Sequence, residues 1–279
     1  MTPVQIPYRD WPRSAVRVAT MLVLLLFALV PIAWLVLTSF KTRLQIFESP
    51  PLIFFTPSFD SWEKLFLPGP LRQALFNSIA VSTVTTFLTL LIGGLAAFGF
   101  SRFRFRGSAS LLFAILAARL LPPINSVVVL YLVFTRFQLI DTLTGLVILY
   151  CALLVPIAVW LLRNAFDAVP VELEEAAMID GCSRLQALWH VTLPLAAPGV
   201  AVTGLLMFIF SWNEFLFAYL FTSTDSVTIP VILAKAVGEY GVEWSDLTAQ
   251  AALLLAPVLV ITLLAQRRLL SGLSGGALK

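Results

Sequence analysis

The sequence predicts an all-α integral membrane protein of six transmembrane helices, with both termini on the cytoplasmic side. Of its 279 residues, 59% are hydrophobic and 12% charged, and the mean hydropathy is +0.96. That leaves too little polar surface to clothe a water-soluble globule. Six segments supply the about 20 apolar residues that a helix needs to cross a hydrocarbon core roughly 30 Å thick. With the N-terminus inside, 11 of the 18 basic residues lie in inward-facing segments, as the positive-inside rule requires.

Residues 1–17 form a cytoplasmic segment carrying Arg9, Arg13 and Arg17. A signal peptide begins in the same way. The apolar run from Val18 to Phe40, however, is about 22 residues, longer than the 7–15 of a cleaved core, and lacks an A-x-A end. It is read as a retained first span, 18–40, opening a transmembrane domain over 18–269. An external loop from Lys41 to Arg72 follows, rich in proline and aromatic residues. Spans 75–100 and 109–134 are joined inside by Arg102, Arg104 and Arg106. Span 142–163 leads to a long inner loop, 164–197, and span 198–222 to an outer loop, 223–246, where Lys235 faces Asp225, Glu239, Glu243 and Asp246. Span 247–269 ends in a cytoplasmic tail, 270–279. Pro31, Pro122-Pro123, Pro156 and Pro257 lie within spans, where neighbouring helices re-satisfy freed backbone groups.

Several functions are disfavoured. The net charge of +3 arises from short basic clusters beside apolar segments rather than from one basic face, unlike a nucleic-acid surface. Cys151 and Cys182 make no disulfide framework, and His190 stands alone without a metal-ligand spacing. No catalytic residue and no metal site is assigned. No glycine cluster continues as a phosphate loop, so this chain binds no nucleotide of its own. Gly93-Gly94 and Gly99 read as small residues at a helix contact. No internal repeat is visible, which withholds support from an inverted-repeat transporter.

The inner loop carries the function. Pro170 suits the start of a short helix, and Glu172, Glu174 and Glu175 fall in or near its first turns, where negative charge complements the helix dipole. Gly181 suits a left-handed end, Ser183 with Gln186 makes a capping box, and a second helix is expected to stop before Pro194. Leu185, Leu188 and Trp189 give that helix an apolar face, while Ala176 and Ala177 allow close approach of another backbone. A helix lying at the bilayer interface is the plainer alternative, but such a helix wants basic residues, and the first carries three glutamates and Asp180 instead.

The string Glu175-Ala176-Ala177-Met178-Ile179-Asp180-Gly181, with Leu193-Pro194-Leu195 and Pro198 after it, resembles the EAA signature of ABC importer permeases. The chain from about 20 to 279 is similar to the carbohydrate-uptake permeases, a family exemplified by the second permease subunit of the maltose importer. Pro122-Pro123, Ser211-Trp212-Asn213-Glu214-Phe215, Gly238-Glu239-Tyr240 and the tail from Gln266 to Gly275 add to the likeness. Cys182, Leu188 and Trp189 depart from it. The resemblance implies a non-catalytic inner-membrane subunit that moves a sugar or sugar derivative by alternating access. It implies two copies of an ATPase holding ATP and Mg, a second related permease and an extracytoplasmic binding protein as partners.

ATPase coupling then falls to Glu172, Glu174, Glu175, Ala176, Ala177, Ile179, Asp180, Gly181, Ser183, Leu188 and Pro194. A charge at bilayer depth costs about 2.5–3.5 kcal/mol on the mild insertion scale, so polar residues inside spans take a functional reading. Arg119, Asn125, Asn213 and Glu214 are therefore nominated for the substrate path, with Trp212 as a ring face for a sugar. Bridging of helices or of the other permease would use the same residues. An ion-coupled transporter with Glu214 as its carrier group, or a membrane scaffold with a partner-binding loop, is the alternative reading.

Overall fold

The computed structural model describes residues 11–274 except 104, 118, 120–122 and 239–240. Arg9, Arg104, Pro122, Glu239, Tyr240, Gly275 and Lys279, used in the sequence reading, lie outside these residues. Helix α1 (Trp11–Thr38) is followed by the short α2 (Arg43–Ile46) and α3 (Asp60–Phe66), then by α4 (Pro70–Arg102). Where one span is expected over 109–134, two shorter helices stand instead, α5 (Ser108–Ala117) and α6 (Pro123–Arg136). Pro123 lacks an N–H and cannot continue a hydrogen-bonded ladder from the preceding turn, so it suits the first position of a new helix.

Helix α7 (Leu143–Asp167) is capped by Thr142, whose side chain accepts from the Gly145 amide. The inner-loop helices are α8 (Val171–Ile179), α9 (Arg184–Ala187), a π turn at Leu188–Thr192 and α10 (Leu193–Leu195). The segment expected as a fifth span is broken into α11 (Ala197–Trp212) and α12 (Leu216–Phe221). After α13 (Ile229–Lys235) come two two-residue strands, β1 (Val237–Gly238) and β2 (Gly241–Val242), and the long α14 (Trp244–Ser274). By length and composition, four helices of the described residues can cross a membrane, or five if the bent pair 184–195 and 197–212 counts as one.

The chain divides into two compact units. In the unit of residues 1–66 and 238–253, Trp62 donates to the Ser39 hydroxyl at 3.2 Å and stacks on Phe40. Asp246 accepts from Ser61 at 2.7 Å and pairs with Lys64 at 2.9 Å. These bonds fasten the loop after α1 to the start of α14.

The unit of residues 67–237 and 254–279 is built on α7. Around its first half, Val81, Leu149, Tyr150, Phe217 and Phe221 form one apolar cluster; around its second half, Ala97, Ala158, Leu162, Phe166 and Met207 form another. Small residues set the spacing. A Cβ at Gly93 of α4 would stand 3.0 Å from the Ala158 Cβ, and one at Gly199 of α11 would stand 2.6 Å from the Ala165 Cβ. Close approach of this kind is how helices associate in lipid, where water gives no hydrophobic drive. Gly93 thus lies at a helix contact, as expected, and the helix it meets is α7, whereas a Cβ at Gly99 would meet nothing within 4 Å.

Candidate functional site

The two-helix segment is shaped by its own capping chemistry. Gly181 has φ +95°; its N–H bonds Met178 O at 3.1 Å and the Cys182 N–H bonds Ala177 O at 3.0 Å. These are the paired closing bonds of a Schellman end, which satisfy carbonyls left over by α8. Ser183 Oγ accepts from the Gln186 amide at 3.3 Å, and Gln186 Oε1 accepts from the Ser183 amide at 2.7 Å. The second helix does not stop before Pro194, as expected, but runs on through the π turn to Leu195. Pro194 supplies no N–H and its ring crowds the carbonyl one turn back, so a wider turn relieves the clash. The chain then bends by 83° into α11.

Helical periodicity splits α8 into two faces. Glu172, Glu175, Ala176, Ile179 and Asp180 are exposed, as are Gly181, Ser183 and Pro194, while Ala177 is half-buried. Ile179 is 87% exposed, and Leu185 and Trp189 are more than half exposed. Charge and apolar side chains thus share one outward surface. Two expected contact residues do not belong to it. Glu174 is 5% exposed and Leu188 is 2% exposed; the first faces an arginine and the second fills the apolar cluster beside Phe166. Neither lies on the exposed surface of the segment.

The partner of Glu174 is Arg102, the last residue of α4. Its Nε and Nη2 both lie 2.8 Å from Glu174 Oε1, and both side chains are 6% exposed. Nη2 also donates to Phe166 O and Val169 O, each at 3.0 Å, and Nη1 to Ser101 Oγ at 2.9 Å. Thr192 Oγ1 donates to the same Glu174 oxygen at 2.6 Å. One buried guanidinium therefore joins the end of α4, the end of α7 and α8, and Glu174 extends the link to the π turn. From the sequence, Arg102 is visible only as a topology charge. The available signal is that Glu174 and Glu175 are neighbours, so a helix turns them to different faces.

The nominated intramembrane groups are not gathered at one point. Arg119 is exposed and donates to the Leu153 carbonyl, while Asn125 is exposed in the first turn of α6. Trp212 is 1% exposed, stacks on Phe208, and donates from Nε1 to Leu254 O at 2.9 Å. The ring expected to face a ligand is covered in this structure. Asn213 is exposed and donates to Ile209 O at 2.9 Å. Glu214 accepts from the Phe217 and Ala218 amides at 3.0 and 3.1 Å, holding the start of α12. Among the described residues the ion pairs do not join Arg119 to Glu214, and no His, Cys, Asp or Glu cluster suits a metal.

A second polar hub lies between α6 and α7. Asp141, at φ +55°, accepts from the amides of Ser223, Thr224, Asp225 and Ser226 and from the hydroxyls of Ser223 and Ser226. Partial burial pushes its carboxyl up, but the bonds from Ser223, Thr224 and Asp225 outweigh this and hold it well below the usual carboxylate range. The hub clamps the turn that follows α12.

The family profile described as "Binding-protein-dependent transport system inner membrane component" matches residues 89–274. The sulfoquinovosyl glycerol transport system permease protein of Agrobacterium fabrum is 35% identical, over 92% of this chain and 91% of that protein. The trehalose transport system permease protein of Mycobacterium tuberculosis is 34% identical over 91% of this chain and 93% of its own length. The trehalose/maltose transport system permease protein of Thermococcus litoralis is 33% identical over 91% and 92%. In fold, the chain is similar to a crystal structure of a bacterial ABC transporter that imports alginate, with a TM-score of 0.78 at 22% identity, over 95% of this chain and 99% of that one.

Proposed function

The chain belongs to the binding-protein-dependent transport system inner membrane components, and from that premise we propose that the outward surface of residues 171–195 docks onto a separate ATPase. The chain is a multi-pass permease subunit of an ABC importer in the inner membrane. The observation that carries the docking is a capped pair of short helices that exposes Glu172, Glu175, Ile179 and Asp180 while burying its opposite face. A rigid surface of mixed acid and apolar groups suits a protein cleft better than an anionic leaflet.

In this reading the membrane is crossed six times, by α1, α4, α5 with α6, α7, α11 with α12, and α14, with both termini inside. ATP and Mg reside on two ATPase subunits, this chain being non-catalytic and without a cofactor. A second permease and an extracytoplasmic binding protein complete the assembly. The cargo is a sugar or sugar derivative, supported by the named cargoes of the curated relatives. Asn213, Asn125 and Arg119 are its candidate contacts within this subunit, all three being exposed in the single chain.

ATP-driven uptake by the reconstituted complex tests the dock. Gly181→Trp places a bulky side chain in the exposed turn and is expected to abolish uptake with loss of ATPase association. Full association and normal uptake would overturn the reading.

A further inference from the structure

We propose that Arg102 is a positioning residue that fastens α4 to the two-helix segment, so that the two move as one body when the ATPase acts. The inference rests on the docking reading above and adds an element that the chain path does not supply. By covalent connection the segment can pull only on α7, which enters it, and on α11, which leaves it. Helix α4 is 64 residues upstream of Phe166, yet its last side chain reaches that carbonyl and the Val169 carbonyl at 3.0 Å, along with Glu174 at 2.8 Å.

Three features distinguish this from an incidental surface pair. Both charged groups are 6% exposed, so removing one leaves the other without solvent to compensate it. The guanidinium addresses these chain segments through a planar fork of fixed geometry, which a compact ammonium does not reproduce. Thr192 holds the same Glu174 oxygen from the far side at 2.6 Å, so α8 and the π turn are locked together as well as to α4. Nearby, the guanidinium of Arg184 lies 5.3 Å from the Phe103 ring, a second tie between the segment and the end of α4. Motion at the exposed face of α8 is thereby delivered to α4, the longest helix in the unit and the one packed against α7 through Gly93.

Paired spin labels at Ile79 and Val171, both exposed in the single chain, test the fastening in the full complex with its ATPase subunits, once co-purification shows that the label at Val171, the first residue of the docking surface, leaves ATPase association intact. About 35 Å of helix separates Ile79 from Arg102, a span that pulsed dipolar spectroscopy resolves. The probes are the nucleotide-free state and the state trapped with ATP and vanadate, so no transported substrate is required. In the parent chain the label distance is expected to be the same in both states. In Arg102→Met with Glu174→Leu, where apolar groups replace the pair and the fold is kept, the distance is expected to shift between states.

A distribution in that double variant that follows the parent in both states overturns the proposal. If the double variant does not assemble, Arg102→Lys and Thr192→Val are measured in the same two states. A shift in either supports the fastening, and parent-like distances in both overturn it. Normal ATPase association and uptake by Gly181→Trp would instead defeat the docking reading, an outcome separate from the label distances.

Discussion

Glu174 and Glu175 are adjacent in the chain but lie on different faces of α8, one buried and one exposed, so identical side chains carry different burdens. Glu174→Ala leaves Arg102 as an uncompensated buried charge and is expected to destabilise the subunit by about 3–5 kcal/mol. Glu175→Ala removes an exposed charge and is expected to change stability within about 0.5 kcal/mol while weakening association with the ATPase. Thermal unfolding in detergent and co-purification separate the two phenotypes. Asp141 offers a pH test. Its carboxyl is held below the ordinary range in the folded chain, so its stabilisation is complete above the unfolded value of about 3.9 and drains away as pH falls toward the folded value. The parent chain is expected to lose thermal stability between about pH 4 and pH 2 in a step that Asp141→Asn lacks. At neutral pH the variant is expected to show faster amide exchange at residues 223–226, since a single amide oxygen cannot serve those donors. An unchanged exchange rate there would remove the clamp.

At the scale of elements, turn and contact geometry decide what substitutions cost. A Cβ at Gly181 would meet nothing within 4 Å, so the demand for glycine comes from the positive φ alone. Replacement by Asn is expected to be milder than by Ala, and Ala milder than Val, with about 1–2 kcal/mol at stake for a side chain held left-handed. The ordering is read from the fraction of chain that retains ATPase. Gly199 is the opposite case, limited by space. Gly199→Ala is expected to push α11 away from Ala165 at about 1–3 kcal/mol, and Ala165→Gly is expected to rescue it. A double variant as unstable as Gly199→Ala would show that this contact does not set the helix spacing.

For the whole molecule, the expected arrangement of segments across the membrane is open to labelling. In a background without Cys151 and Cys182, Glu48→Cys is expected to react with an impermeant thiol reagent from outside intact cells. Asn164→Cys is expected to react only after permeabilisation, and the reverse pattern would invert the topology. The breaks at residues 213–215 and between α5 and α6 belong to this scale. Hydropathy averages over a window and reports that a segment is apolar, not whether its ladder is continuous. Glu214 was legible as a polar residue at depth, but its use as a cap for α12 was not, because the same chemistry serves a ligand, a neighbour or a helix end.

Features that depend on near neighbours in the chain were legible before the fold: the apolar runs, the charge bias, the glycine end at residue 181 and the capping box at Ser183. Those features follow from hydrogen bonds and dihedral preferences that span a few residues. Which polar residues are already spent inside the subunit is a property of the fold. It withdrew Glu174 and Leu188 from the outward surface, covered Trp212, and brought Arg102 and Asp141 to distant carbonyls and amides. The physical reason is that a buried polar group takes its partner from whatever the folded chain sets beside it. For Arg102 that partner lies 72 residues away, beyond the reach of any local pattern.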